Sequence, residues 1–433
     1  MALGEPGSLV GTVERSSLRP SIGVLLPDPV PFAAAVAVLA LSVIAVLGAG
    51  RLCKRIGVPL PVLVLPCAAV VAHLLPGEAH LGEAAVSRVV TVALVAVLYS
   101  GGMRIGRRRI LNAARPVVTL GVAGTVITAG TAGVFLHFAL GFGWYPALLI
   151  ATAVAPTDPT VVFSLLGKYP LGGTVTTVLE GESGANDPVA IALMVALLAA
   201  KGIDLSGLGH AGATFGMQMS LGALIGVAGG KGLVWLLRSD SLGGPGEQSI
   251  VSLSAAAAIF GLAAAAGGSG FLAVFLAGIV AGDEQFAHKT QVRQFHATLA
   301  TLGEIAAFVA LGLTVNLTVI AKASTWAPGL ALAAIVAVVA RPVAVVGCLA
   351  GSGLSRPDRM FVAFAGLKGA VPILLGTYLL GAATGEDPRL FGIVVVVVLA
   401  SVAVQGSLVK PASARVARSG LSLGKRRSTQ AEL

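Results

Sequence analysis

Charge is what this chain has least of: charged residues are 11% of 433, against 56% hydrophobic. That deficit excludes an ordinary water-soluble enzyme or binding module and leaves a polytopic membrane protein. Cysteine is scarce too. Cys53, Cys67 and Cys348 lie within or beside apolar runs, with neither disulfide nor metal spacing, and read as packing residues. Residues 1–31 lack the basic start and cleavage site of a signal peptide. With five prolines among charges, they read as a flexible extracytoplasmic tail. No HExxH pair, no GxGD motif and no Ser with a plausible His partner is present, which argues against an intramembrane enzyme and calls for no cofactor. The net charge of +10 does not imply nucleic acid, because the cations fall in short connections between apolar runs. The expected partner is the lipid bilayer.

What the chain does have is apolar runs, at roughly 32–50, 58–76, 84–102, 116–137, 144–166, 172–200, 211–237, 248–266, 269–282, 297–320, 328–350, 359–382 and 388–409. They predict an all-α fold of about thirteen transmembrane helices. With thirteen spans, 21 of the 29 Lys and Arg residues lie on the side of the C-terminus, six lie opposite and two lie inside spans. Cytoplasmic loops carry the cationic excess. An external N-terminus and a cytoplasmic C-terminus follow.

Two spans are interrupted. The fifth holds AVAPTDPTVV, where Pro156 and Pro159 flank Thr157 and Asp158, and the twelfth holds GLKGAVPILLG around Lys368. Proline inside a helix removes a hydrogen bond and breaks it. With the seventh helix between two six-helix halves, the halves are inverted repeats and each break falls in the fifth helix of its half. Such paired breaks point to a transport site near the midplane.

Polar groups inside spans cost about 2.5–3.5 kcal/mol each if they face lipid, so they must turn inward and pair. The densest set is LEGESGANDPV, where (i, i+4) spacing stacks Glu182 over Asn186 and Ser183 over Asp187. Asp158 and Lys368 are suited to compensate the half-helix dipoles at the crossing. Arg341, in VARPVAVV, needs a buried carboxylate, and Glu182 is the candidate. Asp187 is then left without a cationic partner, and a lone buried carboxylate takes a proton unless a cation replaces it. Ser183, Asn186 and carbonyls freed near Thr157 are candidate oxygen ligands for a hard alkali ion. Glu180 reads as interfacial. Glu304 reads either as a group supporting the site or as an ion-pair partner. His73, His80, His137, His210, His288 and His296 fall at span ends or in loops, where a pH-sensing role is open to His288 and His296.

GESGANDP, TDP, ARP and GLKGAVP, in that order, resemble the motifs of monovalent cation:proton antiporters of the sodium/hydrogen exchanger and NhaP type, over about residues 32–410. FSLLGK, FLAVFLAGIVAG and FHATLATLGEIAAFVALGL resemble the potassium/proton subset. The resemblance implies that Asp187 binds the ion and the proton, that Ser183 and Thr157 are metal-ion ligands, and that Asn186 marks electroneutral exchange. Asp158 belongs to the same unwound site, with Glu182 paired to Arg341 and Lys368 in support. It further implies a plasma-membrane homodimer with two crossed, broken helices. A dimer part (near 32–76 and 211–266) would hold a core part (near 84–200 and 269–409) that moves like an elevator, ahead of a short basic cytoplasmic tail at 411–433. Ser100 stands just before GG in LYSGGMRIGRRR, where the family usually has an acid, and no long regulatory domain follows. The competing readings are a sodium-coupled solute symporter of related fold and a non-transporting membrane sensor.

Overall fold

The computed structural model describes residues 29–56, 60–74, 82–158, 173–200, 205–239, 243–381 and 387–408; the two expected tails, apart from residues 29–31, lie outside them, as do His80 and the second half of the fifth span. Every regular element among the described residues is a helix. Eight are long and apolar enough to cross a membrane, and five shorter apolar helices accompany them. The chain divides by contacts at Ala49. The first unit holds most of α1 (Pro29–Ile56), an apolar helix with Leu41, Ile44 and Leu47 exposed.

The second unit begins with α2 (Leu60–Leu74) and α3 (Glu83–Asn112), then α4 (Ala114–Leu140), α5 (Trp144–Val154) and α6 (Gly173–Ala200). It continues through α7 (Leu205–Leu237), α8 (Pro245–Ala265), α9 (Gly270–Asp283), α10 (Lys289–Leu313) and α11 (Ala323–Cys348). The half-helices α12 (Arg356–Phe364) and α13 (Ala370–Gly381) precede α14 (Pro388–Leu408).

Two groups of helices emerge from the packing. α3 packs on α9 and α10, α9 on α7 and α8, and α10 on α2; in the other group α4 packs on α5, α11 on α14, and α13 on α14 and α5. α6 touches both. α3, α9 and α10 share their most extensive contacts with one another, and α9 and α10 extend that packing onto α7, α8 and α2.

Small residues explain how tightly α9 is held. Inside a membrane no hydrophobic drive joins helices, so close backbone packing must supply the attraction. A Cβ on Gly102 of α3 would lie 2.4 Å from the Phe275 carbonyl oxygen, and one on Gly278 of α9 would lie 2.4 Å from that of Tyr99. On the opposite face of α9, Gly222, Gly226 and Gly230 of α7 meet Ser269, Ala273 and Ala277. α9 is therefore clamped backbone to backbone on two sides.

Among the described residues, three π-helical turns re-aim side chains toward α6 and the breaks, as such turns commonly do at functional sites. The one at Val336–Ala340 precedes Arg341 and Pro342, whose missing N–H favours it, and presents Arg341 to α6. The one at Ser401–Gln405 places Ser401 Oγ 3.2 Å from the Lys368 amide, which donates to it. The one at Thr119–Gly124 brings Gly121 against Ala185 of α6.

Candidate functional site

The two interruptions meet. α5 ends at Val154, residues 155–158 form no regular element, and the Asp158 amide donates to the Leu367 carbonyl at 2.8 Å inside the gap between α12 and α13. Lys368, 1% exposed, donates through Nζ to the carbonyls of Ala155 (3.0 Å) and Pro156 (3.1 Å). Those are orphan acceptors at the negative end of α5, where a cation belongs. Two of the carbonyls that the sequence offered as ion ligands are thus already occupied by the ammonium. Asp158 lies at the other pole: a Cβ on Gly369, beside the start of α13, would sit 2.2 Å from its Oδ2. A carboxylate there complements the positive end of that half-helix.

Behind the crossing runs a fully buried polar chain. Arg341 grips Glu182 with both terminal nitrogens, Nη1 to Oε1 and Nη2 to Oε2 at 2.7 Å. Both side chains are nearly inaccessible, at 4% and 1% exposure. Thr157 donates to Glu182 Oε1 at 3.4 Å and accepts from Asn186 Nδ2 at 2.8 Å. Asn186 Oδ1 is buried with no partner among the described residues. This chain ties α11, α6 and the break after α5 into one body.

In front of the crossing lies a cavity of about 80 Å³. Thr157, Asp158, Ser183, Asp187 and Glu304 line it, with Arg104 and Glu180. Its apolar walls come from α3, α9, α10 and α13, so it sits where the two helix groups face each other. Phe275 of α9 crosses Gly184 so closely that a Cβ there would lie 2.1 Å from its ring. That contact accounts for the glycine in ESGAN.

None of the ion pairs among the described residues involves Asp187. The nearest polar neighbour on its own helix is Ser183, one turn away and also on the cavity wall. Pro188 cannot donate to the Gly184 carbonyl, so that oxygen too is free of its helical partner, and Gly184 lines the cavity. Among the described residues no group of three His, Cys, Asp or Glu side chains converges as a metal centre. The donor set is instead carboxylate, hydroxyl and carbonyl oxygen, all hard ligands for a hard cation.

Several placements differ from those read in the sequence. Asn186 does not line the cavity but stands behind Thr157. Ser100 faces a separate cavity beside Lys289 and Arg293. Glu180, read as interfacial, is 11% exposed and pairs with Arg109 at 3.1 Å and with Arg104 at 3.9 Å. His296 is buried, 1% exposed, in contact with Tyr99 and bonded to Ser252 at 3.0 Å. Sequence reasoning missed Arg104, because it opens the run RIGRRR, which reads as a loop. In fact α3 continues to Asn112 across a non-helical Gly106 (φ 72°), where Asp283 accepts from the Arg108 amide.

Comparison with known proteins agrees with this geometry. The K(+)/H(+) antiporter NhaP2 of Shewanella oneidensis is 32% identical over 370 residues, covering 84% of this chain and 64% of its own length. The chain thus spans somewhat less than two thirds of that relative. The Na(+)/H(+) antiporter NhaH of Halobacillus dabanensis is 27% identical over 339 residues, 75% of this chain and 81% of that one. In fold, the sodium proton antiporter MjNhaP1 of Methanocaldococcus jannaschii superposes with a TM-score of 0.75 at 19% identity, covering 89% of this chain and 99% of that one. A model of the transmembrane sodium/hydrogen exchanger family matches residues 39–415. The chain belongs to the sodium/hydrogen exchanger family.

Proposed function

We propose that this chain is a secondary antiporter that exchanges a monovalent cation for H⁺ at one site alternating between the two membrane faces. The observation that carries this reading is Asp187: a carboxylate on the cavity wall, free of ion pairs among the described residues, with Ser183 and Thr157 beside it. A proton or a desolvated cation can neutralise it, and the two compete. Because one charge replaces one charge, exchange is electroneutral, and Glu182 stays neutralised by Arg341 throughout. The family names attached to relatives include both K(+)/H(+) and Na(+)/H(+) exchange.

The moving body is the group that carries the crossing, α4 to α6 with α11 to α14. It slides against α2, α3 and α7 to α10 in the manner of an elevator, with the cavity on the sliding surface. The thirteen-span topology, with the N-terminus outside and the C-terminus in the cytoplasm, fits the distribution of Lys and Arg. A homodimer in the plasma membrane, in which the exposed Leu41, Ile44 and Leu47 of α1 meet a second copy, completes the assembly.

The test is exchange in proteoliposomes. Adding Na⁺, K⁺ or Li⁺ dissipates a preset pH gradient for the wild type, and Asp187→Asn abolishes the response. Solute uptake without a cation-dependent pH change would instead support a symporter, and cation binding without flux a sensor.

A further inference from the structure

A second cavity, of about 320 Å³, opens between α3 and the first turns of α10. Arg104 and Ser100 line it from one side, Lys289, Thr290, Arg293 and His296 from the other. No lining residue among those described is acidic. The acids closest in sequence are already engaged, Asp283 by the Arg108 amide and Glu284 by Arg238 at 2.5 Å. Neither Lys289 nor Arg293 forms an ion pair among the described residues. α10 also starts without a side-chain cap, its first-turn amides following a left-handed His288 (φ 53°).

The independent sign of a ligand is His296. It is 1% exposed, and its Nδ1 is buried with no hydrogen-bond partner among the described residues. Its Nε2 lies 3.0 Å from Ser252 Oγ, which lies 2.9 Å from the Tyr99 hydroxyl. In either tautomer Nδ1 goes unmatched: as an N–H it lacks an acceptor, as a lone pair it lacks a donor. The cavity therefore offers guanidinium, ammonium and hydroxyl donors around an unmatched buried ring nitrogen, and among its cations only Arg104 has a carboxylate partner among the described residues, Glu180 at 3.9 Å.

We propose that this cavity is a binding site for a phosphate-bearing anion, either a free phosphate compound or the headgroup of an anionic phospholipid. A tetrahedral oxyanion supplies several acceptors for such donors, and guanidinium groups bind it by charge-assisted hydrogen bonds. The volume also exceeds the needs of a halide ion. Because Arg104 lines both cavities, a bound anion competes with Glu180 for its guanidinium at the edge of the transport cavity.

Two arms separate the sources. In the first, purified protein is titrated with inorganic phosphate at constant ionic strength, and Kd is read by calorimetry. In the second, melting temperature is compared between nanodiscs of phosphatidylglycerol and of phosphatidylcholine. Each arm is repeated with the Lys289→Gln, Arg293→Gln double variant, whose retained exchange in phosphatidylcholine vesicles shows that it is folded. Binding of phosphate that weakens at least about tenfold in the variant identifies a free anion. A thermal shift in phosphatidylglycerol alone, lost in the variant, identifies the lipid. A wild type silent in both arms, or a variant that responds as the wild type does, overturns the site.

Discussion

Glu182 and Asp187 are both acids on α6, yet their surroundings give them opposite tasks. Glu182 is sealed behind the crossing in a two-pronged pair with Arg341, whereas Asp187 borders the cavity without an ion pair among the described residues. Removing one partner of a buried pair strands the other charge, at about 3–5 kcal/mol. Glu182→Gln should therefore lower the melting temperature of the solubilised protein by many degrees. Asp187→Asn strands no charged partner and should leave it within a few degrees of wild type. Equal thermal losses in the two variants would refute this division of roles. That Glu182 needs Arg341 is legible in the sequence, since each is an isolated ion in an apolar run and buried ions must pair. The place of Asn186 behind Thr157 is not legible, because the spacing fixes its helix face but not what meets that face.

Among the helices, α9 shows how glycine spacing sets contact. Gly222, Gly226 and Gly230 recur every fourth residue along one face of α7, where a Cβ on Gly226 would lie 2.5 Å from the Ala273 carbonyl oxygen. A branched side chain there must push two helices apart, and overpacking of this kind costs about 1–3 kcal/mol. Gly226→Val should lower thermal stability accordingly, while Gly232→Ala, which meets nothing within 4 Å, should be neutral or slightly stabilising. A melting curve for each variant decides the matter, and similar values for both would count against the clamp. The end of α5 at Val154 was readable from Pro156, and the gap between α12 and α13 from the glycines around Lys368. The break at Gly106 was not, since a single glycine in a basic run signals a loop as readily as a kink. For that reason Arg104 was assigned to a connection and its place on the cavity wall was missed.

For the molecule entire, hydropathy and charge asymmetry made the all-helical membrane architecture plain, but neither reveals which helices travel together. That depends on packing at sites such as Gly102 against Phe275, which leave no periodic signal strong enough to sort thirteen apolar runs. If the helix groups slide past each other, a link across the cavity must stop exchange. With Cys53, Cys67 and Cys348 replaced, cysteines at Ala307 on α10 and Ala370 on α13, both on the cavity wall, allow a short bis-methanethiosulfonate to bridge the groups, each thiolate displacing methanesulfinate. Cross-linked protein should lose exchange while either single-cysteine control keeps it, and full exchange in the bridged form would rule out sliding along this surface. The central claim, that cation and proton compete for Asp187, is tested most directly by proton release. Purified wild-type protein in weakly buffered detergent solution, prepared with the site protonated, should release about one proton per chain on addition of a transported alkali cation. Asp187→Asn should release none. Proton release undiminished in Asp187→Asn, or absent from a wild type that binds the cation, would contradict the account.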